Sequence, residues 1–368
     1  MAEFSSRGYF ALPGPKGQNC GERNLQRSSN FRQSLRLPQF GSVSVAIMRI
    51  SAYNWTHIVA CLLVGVTAML LSFGALVTTY EAAMAVPDWP ATYGHNMFLF
   101  PWDEWFHGPW DLFLEHGHRL LGAVTGMVTL CLAAVAWRSS VRPAVRWLAV
   151  AAVALVVIQG VLGGARVLLD DKTVAKVHAC TGPLFFAVAV AIATLSRRSA
   201  EVVAGGATRL PVALLVAAYL QLVAGAQLRH LDATVDPATF RGLVALHILG
   251  AVAVTVLSVV SAVVLGEDGS TAARRWSKGI VAFVIVQFLL GCGAWVANWG
   301  VPSSILPEGW QLAEPLRARS VGNALVVTGH VVLGMLILGA SVVLAIEAGA
   351  IGRAAGVREG RASERAFA

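Results

Sequence analysis

The sequence predicts an all-α integral membrane protein with eight transmembrane helices, arranged as two pseudo-symmetric four-helix bundles. Three observations support this prediction. The 368-residue chain is 56% hydrophobic and only 13% charged, whereas charged residues make up about 25% of an average globular protein. Apolar stretches long enough to cross a hydrocarbon core of about 30 Å recur along the chain. A motif of glutamine, glycine and histidine is repeated in successive pairs of these stretches.

Each predicted span is an apolar stretch bounded by polar or charged residues. In chain order the spans are residues 58–79, 115–137, 147–165, 177–195, 210–228, 242–265, 280–299 and 324–346. The first four would form one bundle within residues 55–200, and the last four a second bundle within residues 205–348. The polar residues 1–50 are predicted to be a disordered tail, with a start at Met48 or a targeting segment as the alternatives. Residues 349–368 are predicted to be a cytoplasmic tail.

The charges of the loops predict the orientation of the spans. Basic residues concentrate in the short loops at one end of the spans, at Arg138, Arg142, Arg146, Arg197, Arg198, Arg209, Arg274, Arg275 and Lys278. Since short cytoplasmic loops carry an excess of Lys and Arg, both termini are predicted to be cytoplasmic in a multi-pass protein of the inner cell membrane. This orientation explains the net charge of +8, so the lipid bilayer is the expected partner and nucleic acid is not.

A repeated motif relates the spans in pairs. Odd-numbered spans carry a glutamine and a glycine four residues apart, namely Gln159 and Gly163, Gln221 and Gly225, and Gln287 and Gly291, with Leu70 and Gly74 at these places in the first span. Even-numbered spans carry a histidine followed by a glycine, namely His118 and Gly122, His178 and Gly182, His247 and Gly250, and His330 and Gly334. Glycines at this spacing allow close helix packing, but packing does not explain the histidines.

The four repeated histidines are the candidate metal ligands. Ionisable side chains inside a membrane are costly and usually functional, and imidazoles on facing helices are a common way to hold a haem iron. Four rings at similar depth fit two bis-histidine haem sites, one in each bundle. The remaining histidines, His57, His95, His107, His116 and His230, are expected to be solvated or, in the case of His116, to face away from the iron.

Glu115 and three arginines are the other candidate site residues. Glu115 lies one helical turn before His118, which favours proton transfer or charge stabilisation beside a haem, with an acid at a helix N-terminus as the equal alternative. Arg119, Arg166 and Arg229 lie near span ends, where they would pair with haem propionates or snorkel to the interface. The first outer loop, residues 80–114, has no Lys or Arg and is long enough to act as a lid over the first bundle.

These residues resemble the haem A synthase family. The segment from Glu115 to Gly122, EHGHRLLG, is similar to the ExxHR signature of that family, and residues 83–93, which contain MAVPDWP, resemble its first outer loop. Residues 221–230 and the stretch around His330 resemble its second half. The resemblance covers about residues 55–347, and it lacks one feature, because the outer-loop cysteine pair of some members has no counterpart here.

The resemblance implies an oxidoreductase that oxidises a methyl group of haem o to a formyl group, giving haem a for cytochrome oxidase. It implies that Glu115, His118 and His178 act on the substrate haem o, with Glu115 stabilising a cationic intermediate at the methyl carbon. His247 and His330 would hold a haem b cofactor. The implied partners are haem o synthase and cytochrome oxidase assembly factors, and oligomer formation is left open.

Two other functions remain open from the residues themselves. A non-catalytic dihaem b-type electron-transfer protein needs the same four histidines but has no need of Glu115. An assembly or transport protein would use haem only structurally. No Walker loop, dinucleotide fingerprint, serine elbow or HExxH motif occurs in the sequence, so any chemistry is expected to come from the haem.

Overall fold

The computed structural model describes residues 40–197, 209–231, 234–300 and 320–349. The chain divides into two compact units, Met1–Met48 and Arg49–Ala368. Only the beginning of a helix is described in the first unit, and all packing considered below lies within the second. Most of the predicted N-terminal tail and nearly all of the predicted C-terminal tail lie outside the described residues.

The described residues form nine helices. They are α1 (Phe40–Thr79), α2 (Trp102–His107), α3 (Trp110–Arg138), α4 (Pro143–Leu169), α5 (Lys172–Ser196), α6 (Leu210–Arg229), α7 (Pro237–Asp268), α8 (Thr271–Trp299) and α9 (Val321–Glu347). All except the short α2 contain a segment long and apolar enough to cross a membrane, which makes eight candidate spans among the described residues. The predicted helical class and number of spans are therefore confirmed.

Side-chain caps fix the beginnings of four helices. Asp171 accepts a hydrogen bond from the Val174 N–H at the start of α5, and Asp236 accepts one from the Thr239 N–H at the start of α7. Ser270 and Ser320 cap α8 and α9 in the same way. Such caps satisfy backbone N–H groups that have no partner within the helix.

Helix α3 begins earlier than the hydropathy pattern predicts, at Trp110 instead of Glu115. Pro109 immediately precedes it, where the missing N–H of proline costs no helical hydrogen bond. Glu115 therefore lies beyond the first turn, whose acidic residue is Asp111. Because the helix dipole acts mainly on the first turn, it does not explain an acid at this position.

Two clusters of buried side chains hold the helices together. One draws on α1, α3, α4 and α5, here called the first helix group, with Leu63, Leu132, Val145 and Ile192 fully buried. The other draws on α6, α7, α8 and α9, the second helix group. A smaller cluster joins α5 to α9 through side chains such as Phe186. The outward faces remain apolar and exposed, as expected of helices surrounded by lipid.

The long loop, residues 80–109, connects α1 to α3 and contains α2. It lies at the end of the helices where α1, α4, α6 and α8 finish and α3, α5, α7 and α9 begin, here called the loop end. The four repeated histidines lie within the first three turns of α3, α5, α7 and α9. The fold thus places them at comparable distances from the loop end.

Candidate histidine-pair sites

The four repeated histidines meet as two pairs. The ring centres of His118 on α3 and His178 on α5 are 6.5 Å apart, and the rings are inclined at 82°. Those of His247 on α7 and His330 on α9 are 6.3 Å apart, inclined at 66°. Each helix group therefore contains one pair, and the two pairs have nearly the same spacing.

Each histidine ring lies over a glycine of the preceding long helix. A Cβ atom added at Gly74 would come within 3.0 Å of the His118 ring, and one at Gly163 within 3.4 Å of the His178 ring. The corresponding distances are 3.2 Å from Gly225 to His247 and 3.1 Å from Gly291 to His330. The glycines of the sequence repeat thus provide the space in which the rings lie.

Backbone carbonyls orient some of these rings. The Nδ1 of His118 donates to the Leu70 carbonyl at 3.2 Å, and that of His330 to the Gln287 carbonyl at 3.3 Å. A neutral imidazole that donates through Nδ1 keeps its lone pair on Nε2, the form suited to bind a metal ion. The Nδ1 of His178 is buried without a hydrogen bond of normal geometry.

The glutamines of the repeat bind the backbone of the histidine helices. The Gln221 amide donates to the His247 carbonyl at 2.9 Å, and the Gln287 amide donates to the His330 carbonyl at 2.9 Å. The Gln159 amide approaches the His178 carbonyl at 3.4 Å and also contacts Thr181. Leu70 occupies the glutamine position in α1 and contributes only its carbonyl.

Glu115 is buried beneath the long loop, with 2% of its surface exposed. One carboxylate oxygen accepts a hydrogen bond from the Val86 N–H at 3.0 Å, and the other accepts one from Arg119 Nη2 at 2.9 Å. Arg166 of α4 lies 4.0 Å from the same carboxylate. The acid that the sequence singled out is thus held by the loop and by two arginines, one turn from His118.

Arg119 binds the backbone of the long loop, and the sequence did not predict these contacts. Its Nη1 donates to the carbonyls of Asp88 and Ala91, and its Nη2 donates to the Val86 carbonyl as well as to Glu115. These four hydrogen bonds use the four N–H groups of the two terminal nitrogens. In the structure Arg119 therefore binds the long loop and Glu115, whereas the sequence suggested that it pairs with a haem propionate or lies at the membrane interface.

Further contacts fix the long loop across α3 and α4. His116, 1% exposed, has its Nδ1 3.0 Å from the Thr92 hydroxyl and packs edge-on against Trp105. The indole of Trp89 lies so close to Gly164 that an added Cβ would be 2.5 Å from it. The sequence prediction treated His116 mainly as a residue facing away from the iron and the loop tryptophans partly as interfacial anchors, and it missed these contacts.

Asp88 forms the turn that carries this part of the loop. Its two carboxylate oxygens accept hydrogen bonds from the backbone N–H groups of Tyr93 at 2.9 Å and Gly94 at 2.8 Å. Partial burial pushes the pKa of Asp88 upward, but these hydrogen bonds and the Arg119 charge outweigh burial, so the pKa is lowered. The ionised side chain therefore stabilises the turn at neutral pH.

The histidine pairs fit an iron macrocycle better than a metal ion held by protein alone. Across the described ranges, no three or more His, Cys, Asp or Glu side chains form a group that could hold a metal ion, whereas zinc sites use three or four protein ligands. Two imidazoles on opposite sides of one ion, each bound at about 2.0–2.1 Å, have ring centres about 6 Å apart. Both pairs have this spacing, so the residues present fit a bis-histidine haem.

The fold and these sites define a multi-pass helical membrane protein with a histidine pair in each of two helix groups. The chain belongs to the family described as cytochrome oxidase assembly protein, which residues 54–242 match. The match covers the first helix group, the long loop, α6 and the beginning of α7.

Two curated relatives share this region. The chain is 28% identical over 180 residues to a protein of Shouchella clausii (strain KSM-K16) named Heme A synthase, an alignment that covers 46% of this chain and 57% of that protein. It is 26% identical over 181 residues to the Heme A synthase of Halalkalibacterium halodurans, covering 46% and 58%. The chain thus matches a little over half the length of these relatives.

Proposed function

We propose that this protein is a haem A synthase, an oxidoreductase that converts a methyl group of haem o into a formyl group and supplies haem a for cytochrome oxidase. The observation that carries the proposal is an asymmetry between two otherwise similar histidine pairs. Glu115 lies one turn before His118, whereas Ala175, Val244 and Val327 occupy that place before the other histidines. Family membership and the names of the two relatives support the same activity.

The proposal assigns different tasks to the two helix groups. The first, within residues 55–200, binds haem o through His118 and His178, and the second, within residues 205–348, binds a haem b cofactor through His247 and His330. The two groups are proposed to be pseudo-symmetric bundles in the inner cell membrane, with both termini cytoplasmic. Haem o synthase and cytochrome oxidase assembly factors are the proposed partners.

The residues around the first pair have distinct roles in this proposal. The haem iron, when bound, supplies the oxidising chemistry. Glu115 provides a carboxylate that stabilises positive charge at the methyl carbon or accepts its proton. Val86 and Arg119 hold that carboxylate in place, and the long loop keeps water from the site. A Cβ at Gly122, one turn beyond His118, would meet nothing within 4 Å, which leaves room beside this pair.

The test is to express the protein in a host that makes haem o but has no haem A synthase, and to identify the extracted haems by chromatography and mass. Haem a or its hydroxylated precursor is expected from the unaltered chain. Recovery of unchanged haem o, with only haem b bound to the protein, would instead identify a dihaem electron carrier.

Glu115→Gln is the decisive variant in that host. It is expected to keep both haems, because the four histidines remain, while haem a formation falls by at least about 100-fold. Asp111→Asn, the same chemical change one turn earlier in α3, is the control and should retain activity. Full activity of Glu115→Gln would remove Glu115 from the mechanism.

A further inference from the structure

Arg229, the last residue of α6, reaches out of its own helix group. Its half-buried guanidinium donates through Nη2 to the Ala75 carbonyl and to the Thr79 hydroxyl of α1, both at 2.6 Å. Ala75 adjoins Gly74, the glycine beneath the His118 ring. A cation of the second helix group is thus bound to the helix that supports a ligand of the first pair.

The same hydroxyl continues the contact into α9. Thr79 Oγ1 lies 3.3 Å from Thr328 Oγ1, and Thr328, 8% exposed, precedes His330 by two residues. Gly225, the glycine beneath the His247 ring, lies one turn before Arg229 in α6. We call Arg229, Thr79 and Thr328 the polar bridge, since they connect α6, α1 and α9 between the two histidine pairs.

The contacts of Arg229 distinguish it from Arg119. Each terminal nitrogen of Arg119 donates two hydrogen bonds, and the four acceptors are three loop carbonyls and the Glu115 carboxylate. Of the three guanidinium nitrogens of Arg229, only Nη2 donates hydrogen bonds to the described residues. Both acceptors are uncharged. The positive charge of Arg229 is therefore not neutralised by these contacts, and its effect on a nearby group is large in a medium of low dielectric constant.

We infer that Arg229 is a positioning residue that raises the reduction potential of the haem held by His247 and His330, with Thr79 and Thr328 fixing its place. The inference rests on the proposed haem assignment. A nearby positive charge favours the reduced iron, which carries one positive charge fewer than the oxidised iron.

The experiment is a redox titration of the purified full-length protein, followed by haem absorbance. The protein is made in a host without haem o, and the potential of the second pair is identified as the one missing from His330→Ala. Arg229→Gln is expected to lower this midpoint potential, and Arg229→Lys, which keeps the charge, to retain most of it. Arg241→Gln, the same change at an exposed arginine in α7 at the loop end, should leave it unchanged.

A second pair of variants keeps the inference testable if Arg229→Gln fails to accumulate. Thr79→Val and Thr328→Val preserve side-chain size while removing a hydroxyl of the polar bridge, and each is expected to lower the potential by less than Arg229→Gln. Unchanged potentials in Arg229→Gln, or in both valine variants, would overturn the inference while leaving the proposed function intact. A wild-type protein that binds no haem would overturn both.

Discussion

A glycine beneath each histidine ring determines how closely two neighbouring helices can approach. At Gly74, Gly225 and Gly291 an added Cβ would be 3.0–3.2 Å from the ring, closer than ordinary van der Waals contact. A methyl group there must push the imidazole away from its glycine, and with it the nitrogen that faces the partner ring. A methyl group at these positions is therefore expected to disturb the placement of the histidine rings more than the formation of the helices.

Gly291→Ala is expected to weaken haem binding at the second pair. The added methyl displaces the His330 ring, and disturbing the support of a metal ligand typically costs about 10–100-fold in affinity. Gly279→Ala is a matched control, because it is the same substitution in α8 at a site where a Cβ meets nothing within 4 Å. The haem-to-protein ratio of the purified variants measures the effect, and equal ratios would contradict it.

The sequence predicts the repeated residues well and the contacts of Arg119 poorly. Histidine, glycine and glutamine recur at fixed spacings in apolar spans, so their membership of one structural unit can be recognised without a structure. The partners of Arg119 are carbonyls of Asp88 and Ala91, in an irregular segment with no periodicity. A backbone acceptor carries no signature in the sequence, so this contact could not have been predicted.

At the scale of elements, the contacts that fix the long loop are visible only in the structure. Hydropathy identifies it only as a gap between two spans, while its tryptophans suggest an anchor in the interface. In the structure it is fixed from below by Glu115, Arg119 and His116, and from the side by Trp89 on Gly164. Its order therefore depends on α3 and α4 and is not a local property of the loop sequence.

Gly164→Ala is expected to loosen the long loop. A Cβ at this position would be 2.5–2.7 Å from the Trp89 indole, so the ring must move, at a cost of about 1–3 kcal/mol for such overpacking. Amide hydrogen exchange in residues 80–109 should then be faster by about tenfold or more. Gly160→Ala, one turn away in α4 with no atom within 4 Å of its added Cβ, should leave exchange unchanged, and similar exchange in both variants would contradict the expectation.

At the scale of the molecule, the eight candidate spans separate the long loop from a group of basic residues. The spans were predicted correctly because each is a continuous apolar stretch, whereas the beginning of α3 was missed because Trp110 and Phe113 belong to a segment that also contains Asp111 and Glu115. Basic residues such as Arg138, Arg274 and Lys278 lie at the end opposite the loop end.

The proposed orientation places the long loop outside the cell membrane. A cysteine at Asn96, exposed in the long loop, should react with a membrane-impermeant thiol reagent in intact spheroplasts, whereas one at Ser140, exposed between α3 and α4, should react only after lysis. Both are introduced after the native cysteines are replaced by alanine. The reverse labelling pattern would invert the proposed topology.

The glycine beneath each ring also shows which helices provide each histidine pair. Each of the four repeated histidines packs on a glycine of the long helix before its own, so α1 with α3, α4 with α5, α6 with α7 and α8 with α9 each contribute one histidine of the repeat. Each histidine pair takes its two rings from two such helix pairs. A change that moves two such helix pairs apart would therefore separate the rings of one histidine pair while leaving each ring on its own glycine.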